Sequence, residues 1–300
     1  MKRFVTLGLG GFALFGLLAL ATPASALVIM LPQPVPLRVA RADMVVLGKV
    51  TKIEDKAVSA SSYPGAKNKV DYQIAVVKVD DPILNAKGVK EVRVGFIPPP
   101  APGGPIGIRP GIRPVTLTED EEACLFLAKH HEADFYVMGN AGDAVKKANN
   151  PNYEKEVEEA KKAAKLIADP MVSLKSKDAE ERFLTAAMLI ERYRTAKPSA
   201  TQPPKQEPID AAESKLILAA LRDADWTPPK PQQGRVTVMT PMNSFYRLGL
   251  TKEDNWTPPR PQPNVPANPA EAAQAWLKEN AGSYRIKKFV ADTKEDKKDK

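Results

Sequence analysis

The chain has 300 residues, 43 % of them apolar, enough for two domains with cores of their own at the usual ~100–200 residues per domain. Its 44 basic and 36 acidic residues leave a formal charge of +8, but the two signs are interleaved and no basic aromatic cluster marks a nucleic-acid surface. A single cysteine excludes a disulfide-built scaffold, and 29 prolines, nearly twice the usual ~5 %, place long loops between compact pieces.

Residues 1–26 have the layout of a secretory signal: Lys2 and Arg3, an apolar stretch over 4–20, then the small-residue site Ala24-Ser25-Ala26. The apolar run nears spanning length, so a retained anchor is the competing reading. Its glycines and its A-x-A end favour cleavage before Leu27. Cleavage removes two cations and no acid, lowering the formal charge from +8 to +6. The expectation is an exported protein, periplasmic or extracellular, with no stable membrane span after cleavage.

Residues 27–41, punctuated by Pro32, Pro34 and Pro36, read as an extended lead-in. ADMVVLGKVTKIE, residues 42–54, is the opening strand, with Met44, Val46, Gly48 and Val50 on one face and a bend at Gly48. The polar stretch 55–69 reads as a loop. Val70, Tyr72, Ile74 and Val76 then alternate before the phase slips to Val77 and Val79, the pattern of a bulge, and Asp81-Pro82 ends the strand. Residues 83–90 make a short turn or helical crossover, and 91–97 resume β alternation. The stretch 98–114, PPPAPGGPIGIRPGIRP, is too proline-dense for a ladder and is a long loop. ACLFLAKH and ADFYVMG follow as two strands joined by a tight polar turn at His131 and Glu132. Residues 42–140 thus carry five strands.

From residue 150 the period becomes helical. Val157, Ala160, Ala164 and Ile167 mark a helix over 153–168. The strongest helix spans 176–196, with Asp178 and Glu181 as a capping box and Phe183, Ala187, Ile190 and Tyr193 inward; Leu184 and Met188 widen that face until both sides are covered. A linker over 197–208 leads to helices over 209–224, 241–250 and 269–281, and the charged tail 291–300 is disordered. The helical domain is 150–290. Within it DWTPPKPQ at 225 is repeated as NWTPPRPQ at 255. Each of Trp226 and Trp256 follows a helix end and is placed to pack back on it; recognition of the Pro-rich repeat by a partner is the sharper alternative.

The segments ADMVVLGKV, YQIAVVKVDDPILNAKG, EVRVGFI and ACLFLAKH, with a closing strand, resemble the netrin-like modules that include the tissue inhibitors of metalloproteinases. That resemblance covers about a third of the chain and implies an OB-type barrel over residues 42–138. The family's inhibitors chelate a target's metal through a mature N-terminal cysteine and carry several disulfides. Here the predicted terminus is Leu27 and Cys124 stands alone, so no inhibitory residue carries over. The C-terminal helices resemble degenerate HEAT-like pairs.

The fold class expected is therefore α+β: a five-stranded OB-like barrel followed by a small irregular α-helical domain. Catalytic signatures are missing: there is no HExxH, GxSxG, Walker glycine loop or dinucleotide fingerprint. His130, His131 and Glu132 offer a weak metal set, with a solvated turn as the plainer reading. The acids of residues 118–122, TEDEE, are a solvated turn before they are a cation site. Cys124, between apolar neighbours, reads as a small buried hydrophobe. The function expected is a non-enzymatic binding or envelope-associated protein without a cofactor, its partner an unidentified protein or envelope polymer met through Arg109, Arg113, Trp226 and Trp256. The alternatives are a metal-dependent hydrolase built on His130, His131 and Glu132, and a protease inhibitor by netrin-like analogy.

Overall fold

A computed structural model describes residues 33–98, 115–139, 141–148, 150–196, 204–228, 239–260 and 268–290. Residues 1–32 with the expected secretory signal, most of the 98–114 loop with Arg109 and Arg113, the start of the 197–208 linker and the 291–300 tail lie outside the described residues. The architecture is mixed α+β, a large sheet in the first half and helices in the second.

The lead-in is not wholly extended. Val35–Arg41 forms helix α1, with proline in its first turn and Arg38 and Arg41 in its last. Proline lacks an N–H that a first turn would leave unpaired anyway, so the residues that suggested extension start a helix instead. The cations at the other end complement the helix dipole.

Seven strands make the sheet: β1 Met44–Ile53, β2 Val58–Ser61, β3 Lys69–Leu84, β4 Glu91–Phe96, β5 Glu122–Lys129, β6 Tyr136–Val137 and β7 Ala144–Lys146. β1 pairs with β3, β3 with β4, β4 with β6, β6 with β5, and β5 returns to β1. Only β4–β6 is parallel in that circuit. β2 lies beside β3, and β7 beside β5. The polar 55–69 segment thus contains a strand, and the 133–139 strand shrinks to two residues.

β3 departs most from its expected form. It continues through Pro82 to Leu84, and its register against β1 skips Asp80 and Ile83, so the proline sits between two irregularities, where a ladder tolerates it. The phase slip at Val76 is not a bulge in β3. Tyr72 and Ile74 face one side and pack with Ala60 and Phe135, whereas Ala75 and Val77 face the other and join Met44, Val46, Val50, Val94, Leu125 and Leu127. Both faces of this stretch are covered, and the sequence reads that switch as a slip. Gly48 is required by close approach: a Cβ there would meet the Lys78 carbonyl oxygen and come within 2.7 Å of Val77 Cγ1.

The helical half contains α2 Tyr153–Ala168, α3 Pro170–Ser173, α4 Ala179–Arg194, α5 Ala211–Arg222, α6 Pro241–Arg247 and α7 Pro269–Asn280. α4 is central, buried without a break from Thr185 to Glu191, as its widened apolar face predicted. Its capping box is not closed. Asp178 accepts from the Glu180 amide, while Glu181 accepts from the Ser176 hydroxyl. The linker is also partly ordered: Lys205–Pro208 forms β8, antiparallel to β9 at Lys287–Val290.

The two halves share a core. Val45, Cys124 and Phe126, on the helix-facing side of β1 and β5, pack in one cluster with Val39 of α1, Val157 and Ala160 of α2, and Leu189 and Ile190 of α4. No helix among the described residues is long and apolar enough to cross a membrane.

Candidate functional site

The turn after β5 is solvated at His131, Glu132 and Asp134, as expected, but not at His130. His130 follows the end of β5 and is only 5 % exposed, enclosed by Phe135, Tyr72 and His131 at ring-centroid distances of 4.6, 5.4 and 4.4 Å. Its Nε2 lies 3.0 Å from the Ser61 carbonyl oxygen, and its Nδ1 accepts from the amides of Glu132 at 3.3 Å and Ala133 at 3.1 Å. A carbonyl only accepts, so Nε2 carries the proton and Nδ1 the lone pair. Neither nitrogen is left for a metal. Burial, and then the neighbouring His131, hold the His130 pKa below its ordinary value. Glu132 Oε1 accepts from the Ser61 amide at 2.5 Å, which lowers the Glu132 pKa. Together the two side chains occupy the amide and carbonyl of Ser61, the last residue of β2. Among the described residues no group of three His, Cys, Asp or Glu side chains is arranged to hold a metal.

The TEDEE acids are taken within the protein: Glu119 accepts from the Ile53 amide, Asp120 pairs with Lys49 and Glu121 with Lys146 at 2.8 Å, and Glu122 pairs with Lys147 at 2.7 Å. Burial pushes the Cys124 thiol up to about 12, so it is protonated at neutral pH and unsuited to nucleophilic work.

The two repeat tryptophans share a neighbour. Trp226 donates its indole N–H to the Leu221 carbonyl in the last turn of α5, and Trp256 is buried beside the extended start of the second Pro-rich copy. Both lie edge-on to Phe245 of α6, at 6.4 and 4.7 Å, and Trp276 of α7 makes a third such contact at 5.7 Å. Each tryptophan therefore packs back on the helices, and Trp256 has no free face to offer a ligand. Trp226 is half-buried and does not itself line the cleft beside it, but its neighbours Asp225 and Thr227 do. That cleft, of about 370 Å³, opens between the starts of α4 and α6, with Phe183, Met239 and Pro241 apolar and Glu180 and Asp225 acidic.

The chain matches no family model, no curated protein and no solved structure.

Sequence reasoning missed a buried ionic knot. Glu191 of α4 is 5 % exposed and receives Arg41 of α1, Arg247 of α6 at 2.9 Å and the Thr195 hydroxyl at 2.8 Å. Arg38 of α1 is likewise buried, its guanidinium 4.9 Å from the Phe126 ring and 2.8 Å from Glu156 of α2. The available signal was Glu191 itself, a charge three residues after Met188 and four after Ala187 on an otherwise apolar face.

Proposed function

We propose that β1, β3, β4, β6 and β5 form an OB-type barrel and that the protein is an exported, non-enzymatic binding or envelope-associated protein. The pairing order carries the barrel reading. Counted along the ring, the strands run 1-2-3-5-4 and close on 1, with the third and fifth parallel, which is a five-stranded Greek-key closure of the OB kind. The netrin-like resemblance over the same residues supports it. The connection from the third to the fourth ring strand is the proline-rich stretch, where an OB barrel carries its crossover.

The binding reading draws support from where the reactive side chains are spent. His130 is committed to backbone, the 119–122 acids to amides and lysines, and Cys124 to the core. The hydrolase alternative loses His130 by the same geometry, and among the described residues no three His, Cys, Asp or Glu side chains are placed to hold a metal; the inhibitor alternative has no terminal cysteine to act through. The partner is an unidentified protein or envelope polymer, contacted through the 98–114 loop with Arg109 and Arg113 and through the cleft beside Trp226. Co-sedimentation of the purified chain with isolated envelope membranes and with cell-wall polymer tests this. Retention that is lost on substituting both Arg109 and Arg113 by alanine is the expected result. A chain that stays in the supernatant with every fraction overturns the reading.

A further inference from the structure

We infer that His130 is an acid-operated latch that holds the outer side of β2 closed at neutral pH and releases it on protonation. The geometry carries this. β2 pairs with β3 alone, and its other side is met at Ser61 by the His130 ring and the Glu132 carboxylate. The Nδ1 lone pair faces two backbone N–H groups, of Glu132 and Ala133. A proton at Nδ1 turns that acceptor into a donor pointed at two donors, inside a site that leaves the ring 5 % exposed. The arrangement cannot hold a charged ring, so the 130–135 loop swings away and the β2 edge opens.

The groups facing His130 set the direction. From its own loop, His131 stacks on it and opposes a second positive charge, whereas Glu132 favours one. From β3, Tyr72 meets it edge-on with a hydroxyl whose pKa is raised by burial, hence uncharged, and Lys69 acts on Glu132. From β2 only the Ser61 backbone reaches it. With burial the largest influence, the closed state binds fewer protons than the open one. Opening therefore grows as pH falls below the ordinary value of 6.5 and levels off once the lowered value of the closed state is passed.

Hydrogen exchange and histidine-ring NMR on the full chain test it. Between about pH 7.5 and pH 5 the protection of the Ser61, Glu132 and Ala133 amides, corrected for intrinsic exchange, falls by up to about tenfold per pH unit within that window, while β1 amides hold. The His130 ring shows a protonated Nε2 at neutral pH. Because His130→Gln risks misfolding, His131→Gln is the second variant. Removing the neighbour that opposes a charge on His130 raises the lower end of the transition. It then completes at higher pH, with a smaller total loss of protection that persists, burial being the larger cause. Protection at the three amides that is flat across the window overturns the latch. So does a transition that disappears in His131→Gln.

Discussion

Replacing Phe245 by alanine tests whether the two tryptophan repeats act as one packing unit. The ring is 1 % exposed and lies edge-on to three indoles, with centroids at 4.7, 5.7 and 6.4 Å and interplanar angles of 75, 73 and 65°. A buried Phe→Ala change costs about 3–5 kcal/mol through lost transfer energy and the cavity left behind. Edge-to-face pairs add ~0.5–1.5 kcal/mol each beyond area burial. They share one ring and are not additive, so the loss falls toward the upper end, about 4–5 kcal/mol. Against a total of about 5–15 kcal/mol that is severe. All three tryptophans of the chain surround this ring, so indole emission reports on this site alone. Urea unfolding followed by emission and by far-ultraviolet circular dichroism should give a midpoint lowered by more than about 1 M, with red-shifted native emission. Phe245→Leu, which keeps most of the volume, should lose only about 1–1.5 kcal/mol. A Phe245→Ala protein within about 1 kcal/mol of the parent, with unchanged emission, refutes the reasoning.

Three further outcomes follow from the same packing. Glu191→Ala should cost about 2 kcal/mol in urea unfolding, less than the ~3–5 kcal/mol of a fully buried pair, because Arg41 and Arg247 remain 30 % and 39 % exposed and partly screened. Gly48→Ala should destabilise by about 1–3 kcal/mol in thermal unfolding, since the new methyl meets the Lys78 carbonyl, a backbone atom that cannot step aside. Cys124, its thiol pushed up to about 12, should resist iodoacetamide at neutral pH and react only once urea unfolds the chain; rapid native alkylation would contradict its burial.

Much of the helical half was legible because its signals are local. The α2 stripe of Val157, Ala160, Ala164 and Ile167 is buried as its spacing implies, and the bounds 153–168 coincide with the helix. What escaped depends on partners distant in sequence. β8 lies in a stretch whose prolines argue against structure, and it is a strand only because β9, some eighty residues on, pairs with it. β2 is four residues long, too short for alternation to register. Proline misled twice, at the first turn of α1 and at Pro82 within β3, since both are places where its missing N–H goes unused. The role of His130, offered by the sequence only as a metal candidate, was hidden for another reason. A polar side chain whose hydrogen bonds are all met by backbone leaves no trace in composition, and only the fold of β2 against the 130–135 loop reveals it.

The position of α1 has a consequence for the order in which the molecule is made. It leaves the ribosome early, yet the Gly142 carbonyl, Glu156 and Glu191 that hold its two arginines lie 104, 118 and 150 residues further on. At the other end, β9 closes β8, and the Ile286 carbonyl receives the Ile209 amide. Arg38 must therefore wait for α2 and Arg41 for α4, and the helical half is not fastened until nearly the last described residue arrives. Such long separations slow closure and leave apolar surface uncovered meanwhile. Completion of this fold is a late event in the life of the nascent chain, and a truncation before Glu191 would leave Arg41 of α1 without its carboxylate.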